Sequence, residues 1–177
     1  MSEICIPISD MGKQPVSIQE KVEKRIGKGA SGYIWTATDF ADLGARDAID
    51  KALQRLAAAG KLEKVSRGLY QSPTYNPITR RTNAPDPSQV LAALERRDAT
   101  PMLIDGMTAA NELGFTTAVP AKIIAHTSAR RASIDLRGGQ KIIFKQTAPS
   151  KLKWAGRPAM RLVQALLWLK GTKFENT

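Results

Sequence analysis

Between positions 46 and 55 stand side chains whose types and spacing can read base edges in a DNA groove. Arg46 and Arg55 can each donate two hydrogen bonds to guanine O6 and N7, and Gln54 can pair with adenine. Asp47 repels phosphate but can accept from a cytosine amine, while Lys51 adds a further donor. On a helical wheel Asp47, Lys51, Gln54 and Arg55 fall opposite Ile49, which shares its face with Ala52, Leu53 and Leu56. The N-terminal half of a recognition helix reaches deepest, which ranks Arg46, Asp47 and Lys51 above Arg55. An apolar back with a basic front also describes an ordinary solvated helix, so the flanking elements must decide.

Other groups suit phosphates rather than bases. Lys61, Lys64 and Arg67 follow the helix, and Thr36 or Thr38 precedes it at a predicted helix start. Arg80 and Arg81 can trail along a backbone, or simply solvate a connecting segment. Arg130 and Arg131 form one later cluster and Lys151 and Lys153 another. The second cluster, with Arg157, surrounds Trp154, a mix that suits stacking on nucleic acid or a cationic rim over a buried indole.

No catalytic constellation stands beside these residues. His126 is the single histidine and Cys5 the single cysteine, too few ligands for a structural zinc site. A lone His126 near Ser128, Ser133 and Asp135 reads as a structural residue in an alternating strand. Gly27-Lys-Gly-Ala-Ser-Gly32 matches a dinucleotide fingerprint by letters alone. A helix precedes it and a short strand follows, the reverse of the order that brings a pyrophosphate to a helix N-terminus. The expectation is a non-enzymatic chain with no cofactor and no metal.

The elements that must position the basic helix can be read in order. Ile18, Val22 and Ile26 step by four along one helix, closed by Gly27 and Gly29. Tyr33-Ile-Trp35 is a short β-prone run, and a short helix follows with Phe40 and Leu43 inward. Gly44 supplies the turn into the basic helix. That helix is stopped by Gly60, and two strands follow, turning at residues 66–68. Helix, strand, short helix, turn, longer helix and hairpin is the order of a winged helix-turn-helix over residues 16–72. Residues 1–15 are expected to form a flexible arm. Residues 73–86, rich in Pro, Ser, Thr and Asn, read as a linker.

Residues 87–177 read as an α+β domain with a small antiparallel sheet. Pro87 opens a helix after Asp86, with Val90, Leu91 and Leu94 inward. Residues 101–105 read as a strand and 108–113 as a short helix closed by Gly114. Residues 122–127, 132–137 and 141–146 are β-prone, with Gly138-Gly139 as a hairpin turn. The closing helix carries Leu162, Leu166 and Leu169 as a stripe, widened by Val163, Leu167 and Trp168, and is expected to be buried in the domain's own core.

Charge narrows the partner. The 177 residues carry a formal net charge of +11, which favours a polyanion, nucleic acid first. Residues 1–75 hold 11 Lys and Arg against 9 Asp and Glu, a net +2; residues 76–177 hold 16 against 7, a net +9. The surplus can embrace flanking phosphates, dock an acidic protein surface, or solvate an exterior. One cysteine permits no intramolecular disulfide, and the N-terminal run broken by Pro7 is not expected to act as a signal peptide. The expected setting is cytoplasmic, with no membrane association.

Asp39-Phe, Leu43-Gly44, Ala52-Leu-Gln-Arg-Leu56, Gly60-Lys and Val65-Ser-Arg-Gly-Leu-Tyr70 resemble the winged helix of AbiEi-like antitoxins, the antitoxin half of type IV AbiE toxin–antitoxin systems. Ala109-Ala-Asn-Glu-Leu-Gly-Phe-Thr-Thr-Ala-Val-Pro-Ala-Lys122 and Ile143-Phe-Lys-Gln-Thr-Ala-Pro149 are similar to the C-terminal segment of the same group. The resemblance implies a transcriptional regulator that binds the promoter of its own operon and counters a nucleotidyltransferase-like toxin. Operator DNA with inverted repeats, bound by a homodimer or by two monomers, is the expected target. A protein-interaction module, whose winged helix holds a protein rather than DNA, is the alternative kept open by the near-neutral first half.

Overall fold

The computed structural model describes residues 16–78, 80–153, 155–157 and 159–172. The expected arm at 1–15 and Trp154 lie outside the described residues, as does the side chain of Lys151. The described chain is α+β, with five α-helices and several small sheets.

Helix α1 (Ile18–Ile26) starts where Ser17 and Glu20 satisfy each other's backbone N–H groups, and it stops at Gly27. Strand β1 (Ile34–Trp35), a 3-10 turn (Ala37–Phe40), α2 (Arg46–Ala58), β2 (Glu63–Ser66) and β3 (Leu69–Gln71) follow. The three strands form an antiparallel sheet in the order β1-β3-β2. Gly68 takes a φ of +71° in the β2–β3 turn, a conformation that disfavours any side chain. Val22, Trp35, Phe40, Ile49, Leu53 and Leu56 bury together as one core, so α2 packs down on the face its periodicity predicted.

The segment expected to be an open linker carries a small hairpin, β4 (Tyr75–Asn76) with β5 (Arg81–Thr82). Its turn chemistry explains the difference. Asn76 Oδ1 accepts from the Ile78 N–H at 2.9 Å, and the Asn83 N–H donates to the Thr74 carbonyl at 2.8 Å. The Asn76 side chain closes the turn locally, and the main-chain bond from Asn83 to Thr74 extends the strand pairing beyond it.

The second half opens with α3 (Pro87–Asp98), capped by the Asp86 carboxylate on the Ser88 N–H. It continues through β6 (Leu103–Ile104), α4 (Gly106–Glu112), β7 (Lys122–Thr127), β8 (Ile134–Asp135), β9 (Lys141–Gln146), a 3-10 turn (Pro149–Leu152) and α5 (Met160–Thr172). Asp105 joins two of these elements. One carboxylate oxygen accepts from Thr108 N–H at 2.7 Å, capping α4, and the other accepts from Ile124 N–H at 3.0 Å on β7.

The sheet order is β6-β7-β9-β8, and its central pair, β7 with β9, is parallel. The sheet is therefore mixed, not the small antiparallel one expected. The Gly138-Gly139 turn folds β8 onto the outer edge of β9. That leaves β7, two strands earlier, to pair with the inner edge running the same way.

Two further features depart from expectation. Helix α5 buries Ala165 and packs Met160 and Trp168 on the core, while Leu162, Leu166 and Leu167 are 46, 52 and 59% exposed. Leu162, Leu166 and Leu167 face outward because α4 lies against the side that carries Gln164 and Trp168. A Cβ on Gly106 would fall 2.5 Å from Trp168 Cβ and 2.7 Å from the Gln164 carbonyl. The core of the second half also reaches across the linker. Ile34 of β1 and Leu69 of β3 are fully buried in the same cluster as Val90, Leu91, Leu94 and Met102.

Candidate nucleic-acid interface

Helix α2 presents the face predicted for it. Ile49, Ala52, Leu53 and Leu56 are buried, while Arg46, Asp47, Lys51, Gln54 and Arg55 are exposed. Arg46 is held back along its own helix, its Nε 2.9 Å from Asp50 Oδ2. An exposed pair of this spacing is worth only about 0.3–0.5 kcal/mol, so a phosphate or base edge can displace it.

The flanking residues divide. Lys64 and Arg67 are exposed on the hairpin, whereas Lys61 is ion-paired with Glu23 of α1. Thr38 is exposed. Thr36 is not available to a phosphate: it is fully buried, and its hydroxyl donates to Asp39 Oδ2 at 2.8 Å. Its backbone N–H donates to the same oxygen at 2.7 Å. The carboxylate that favours the start of the 3-10 turn thus consumes the threonine expected to meet DNA.

Arg80 and Arg81 are exposed on the β4–β5 hairpin and line a separate groove with Arg137. Arg137 is itself ion-paired with Glu63 of β2. Arg130 and Lys153 are exposed. Arg131 is 15% exposed, its Nη1 donating to Asp98 Oδ2 at 2.5 Å, and so serves as a packed ion pair, not as a free surface cation.

Asp98 is the centre of that arrangement. Arg97 donates to both of its oxygens at 2.9 Å, and this contact holds the carboxyl below the usual carboxylate range. Burial pulls the other way, and Arg131 adds to the lowering. Arg131 Nε–H, by contrast, is buried with no hydrogen-bond partner among the described residues, a state that costs about 1–3 kcal/mol.

Sequence reasoning passed over the end of α3. Arg97 Nη1 donates to the Arg67 carbonyl at 3.0 Å, and Arg96 Nη2 donates to the Ile34 carbonyl at 2.9 Å. The Arg96 guanidinium also lies 4.6 Å from the centroid of the Tyr33 ring and 3.4 Å from Asp39. Two consecutive arginines of the second half therefore hold β1 and the β2–β3 turn of the first. Their signal was the pair of cations in the last turn of a helix, which the dipole alone also favours.

These contacts bring distant residues into one place. The N-terminus of α2, the β2–β3 turn, the end of α3 and the edge strand β8 surround an open cleft of about 470 Å³. Arg46, Arg67, Arg97 and Arg131 line it, and among the described residues Asp98 is its one acidic lining residue. Of the predicted set it unites Arg46, Arg67 and Arg131; Lys61, Arg80 and Arg81 lie outside it.

His126 donates or accepts at Thr147 Oγ1, 3.0 Å from its Nδ1. Burial, with Lys145 nearby, lowers its pKa, and Asp105 opposes the shift. Among the described residues no group of three or more His, Cys, Asp or Glu could hold a metal ion, and no helix is long and apolar enough to cross a membrane.

One protein-family model, described as a family of unknown function (DUF6088), matches residues 21–176. No curated protein and no solved structure matches the chain.

Proposed function

We propose that this chain, which belongs to the DUF6088 family, is a DNA-binding transcriptional regulator. In this reading residues 16–72 act as a winged helix-turn-helix. Arg46, Asp47 and Lys51 read bases, and Lys64 and Arg67 sit on flanking phosphates. The observation that carries it is the outward face of α2. Its polar side chains are exposed above a buried apolar back, Arg46 in a weak pair with Asp50, and a basic two-stranded hairpin follows directly. The +9 surplus of residues 76–177 supports a division of labour in which the second half supplies much of the electrostatic grip.

The sequence resemblance extends the proposal to an antitoxin that represses its own operon and counters a nucleotidyltransferase-like toxin. Its target would be inverted-repeat operator DNA, engaged by a homodimer or by paired monomers. An electrophoretic shift against the DNA upstream of its own gene tests the core claim. A retarded complex that weakens steeply with salt is expected; no shift at low salt with that DNA or with random duplex overturns the reading.

A protein-interaction module is the second reading. The outward leucines of α5 favour it, since an exposed apolar helix face fits a protein partner better than a polyanion. Copurification of a neighbouring gene product without salt-dependent retention on DNA is the outcome that selects it.

A further inference from the structure

We propose that the cleft between α2, the β2–β3 turn, α3 and β8 is a binding site for a phosphate group. Among the described residues four guanidinium groups line it against one carboxylate, a formal surplus of three positive charges that Asp50, paired with Arg46, reduces to two. A phosphate monoester or pyrophosphate, with two or more negative charges, matches that surplus better than a single carboxylate does. The cations are also set in place beforehand. Arg97 and Arg131 are both fixed on Asp98, and Arg97 is fixed again on the Arg67 carbonyl. Arg46 is held by a weak, exposed pair with Asp50, so it can turn to an anion. Ile134 and Phe144, both half-buried, supply an apolar wall that an organic moiety attached to the phosphate can cover.

Both halves of the chain contribute arginines, so a bound phosphate bridges the base-reading element and the second half. Two sources share this chemistry: a nucleic-acid backbone and a free phosphorylated molecule. The site goes beyond the DNA-binding reading and stands without it, because a failed gel shift leaves a phosphate titration interpretable.

The test uses the full chain, with pyrophosphate as probe and titration calorimetry at low ionic strength as readout. Saturable one-to-one binding is expected, weakened about tenfold or more in Arg67→Gln and unchanged in Lys21→Gln, on the exposed side of α1. Arg67→Gln keeps the carbonyl that Arg97 holds, and circular dichroism verifies that it folds. Absence of saturation by about 10 mM pyrophosphate, or equal weakening in the two variants, overturns the proposal. Repeating the titration with excess operator duplex separates the sources. Competition by the duplex, with Arg67→Gln weakening both ligands, assigns the site to backbone phosphate; undiminished pyrophosphate binding assigns it to a free ligand. Either supports the site.

Discussion

Arg46 and Lys51 lie on the exposed N-terminal half of α2, and neither contributes to the buried core. Replacing both with Ala should therefore leave the fold intact and remove sequence preference. Weak binding to random duplex, falling with salt, should persist in gel-shift competition. Preference that survives would move the base-reading role off α2. His126 gives a prediction of another kind. Its folded pKa lies below its ordinary value of 6.5, so the unfolded chain takes up a proton that the folded chain resists. Its contribution is constant at high pH and is lost as pH falls from about 6.5 through the folded pKa. Urea midpoints at about pH 7.5 and about pH 5 should differ less in His126→Gln than in the parent chain. What was legible at this scale was whatever one helix determines for itself. The inward and outward residues of α2 follow from periodicity alone. The burial of Arg131 does not, because its partner Asp98 is 33 positions away and only the folded chain brings them together.

Among the elements, boundaries set by local chemistry were readable and pairings were not. Strands β7 and β9 occupy the β-prone runs at 122–127 and 141–146, and α3 begins at Pro87 after its Asp86 cap. Parallel pairing of β7 with β9 depends on which edge β8 takes, and no composition signal carries that. The leucine stripe of α5 misled for a related reason. Hydrophobic periodicity marks an apolar face but does not say whether the chain itself covers it, and here α4 occupies the side of Ala165 and Trp168. The α4–α5 contact hangs on Gly106, where a methyl group would meet the Gln164 carbonyl at 2.7 Å. Gly106→Ala gains up to about 1 kcal/mol in helix propensity but overpacks against backbone, at a cost of roughly 1–3 kcal/mol. The net expectation is a lower thermal midpoint, with the largest loss of amide protection in α4 and α5. A midpoint at or above that of the parent chain would mean the two helices can separate freely.

At the scale of the whole molecule, the first half is not closed without the second. Ile34 and Leu69 are fully buried, and their cluster is completed by residues of α3 and the second sheet. Exposing two such side chains forfeits about 1.5–3 kcal/mol each, a large share of a small domain's stability. Residues 1–75 expressed alone should unfold at lower urea and bind operator DNA weakly, as calorimetry and gel shift can measure. A fragment as stable as the full chain would mark the shared cluster as incidental. The division of charge was legible in the sequence; the shared core was not, since a Pro-rich stretch reads as separation. Arg96 and Arg97 complete the joint by donating to the carbonyls of Ile34 and Arg67. A main-chain oxygen is present whatever residue occupies the position, so this joint is blind to the side chain at the hairpin tip. Position 67 can pass through many amino acids, changing what the tip touches, while the halves stay fastened. The tip can thus change its surface chemistry without the chain having to rebuild its own assembly.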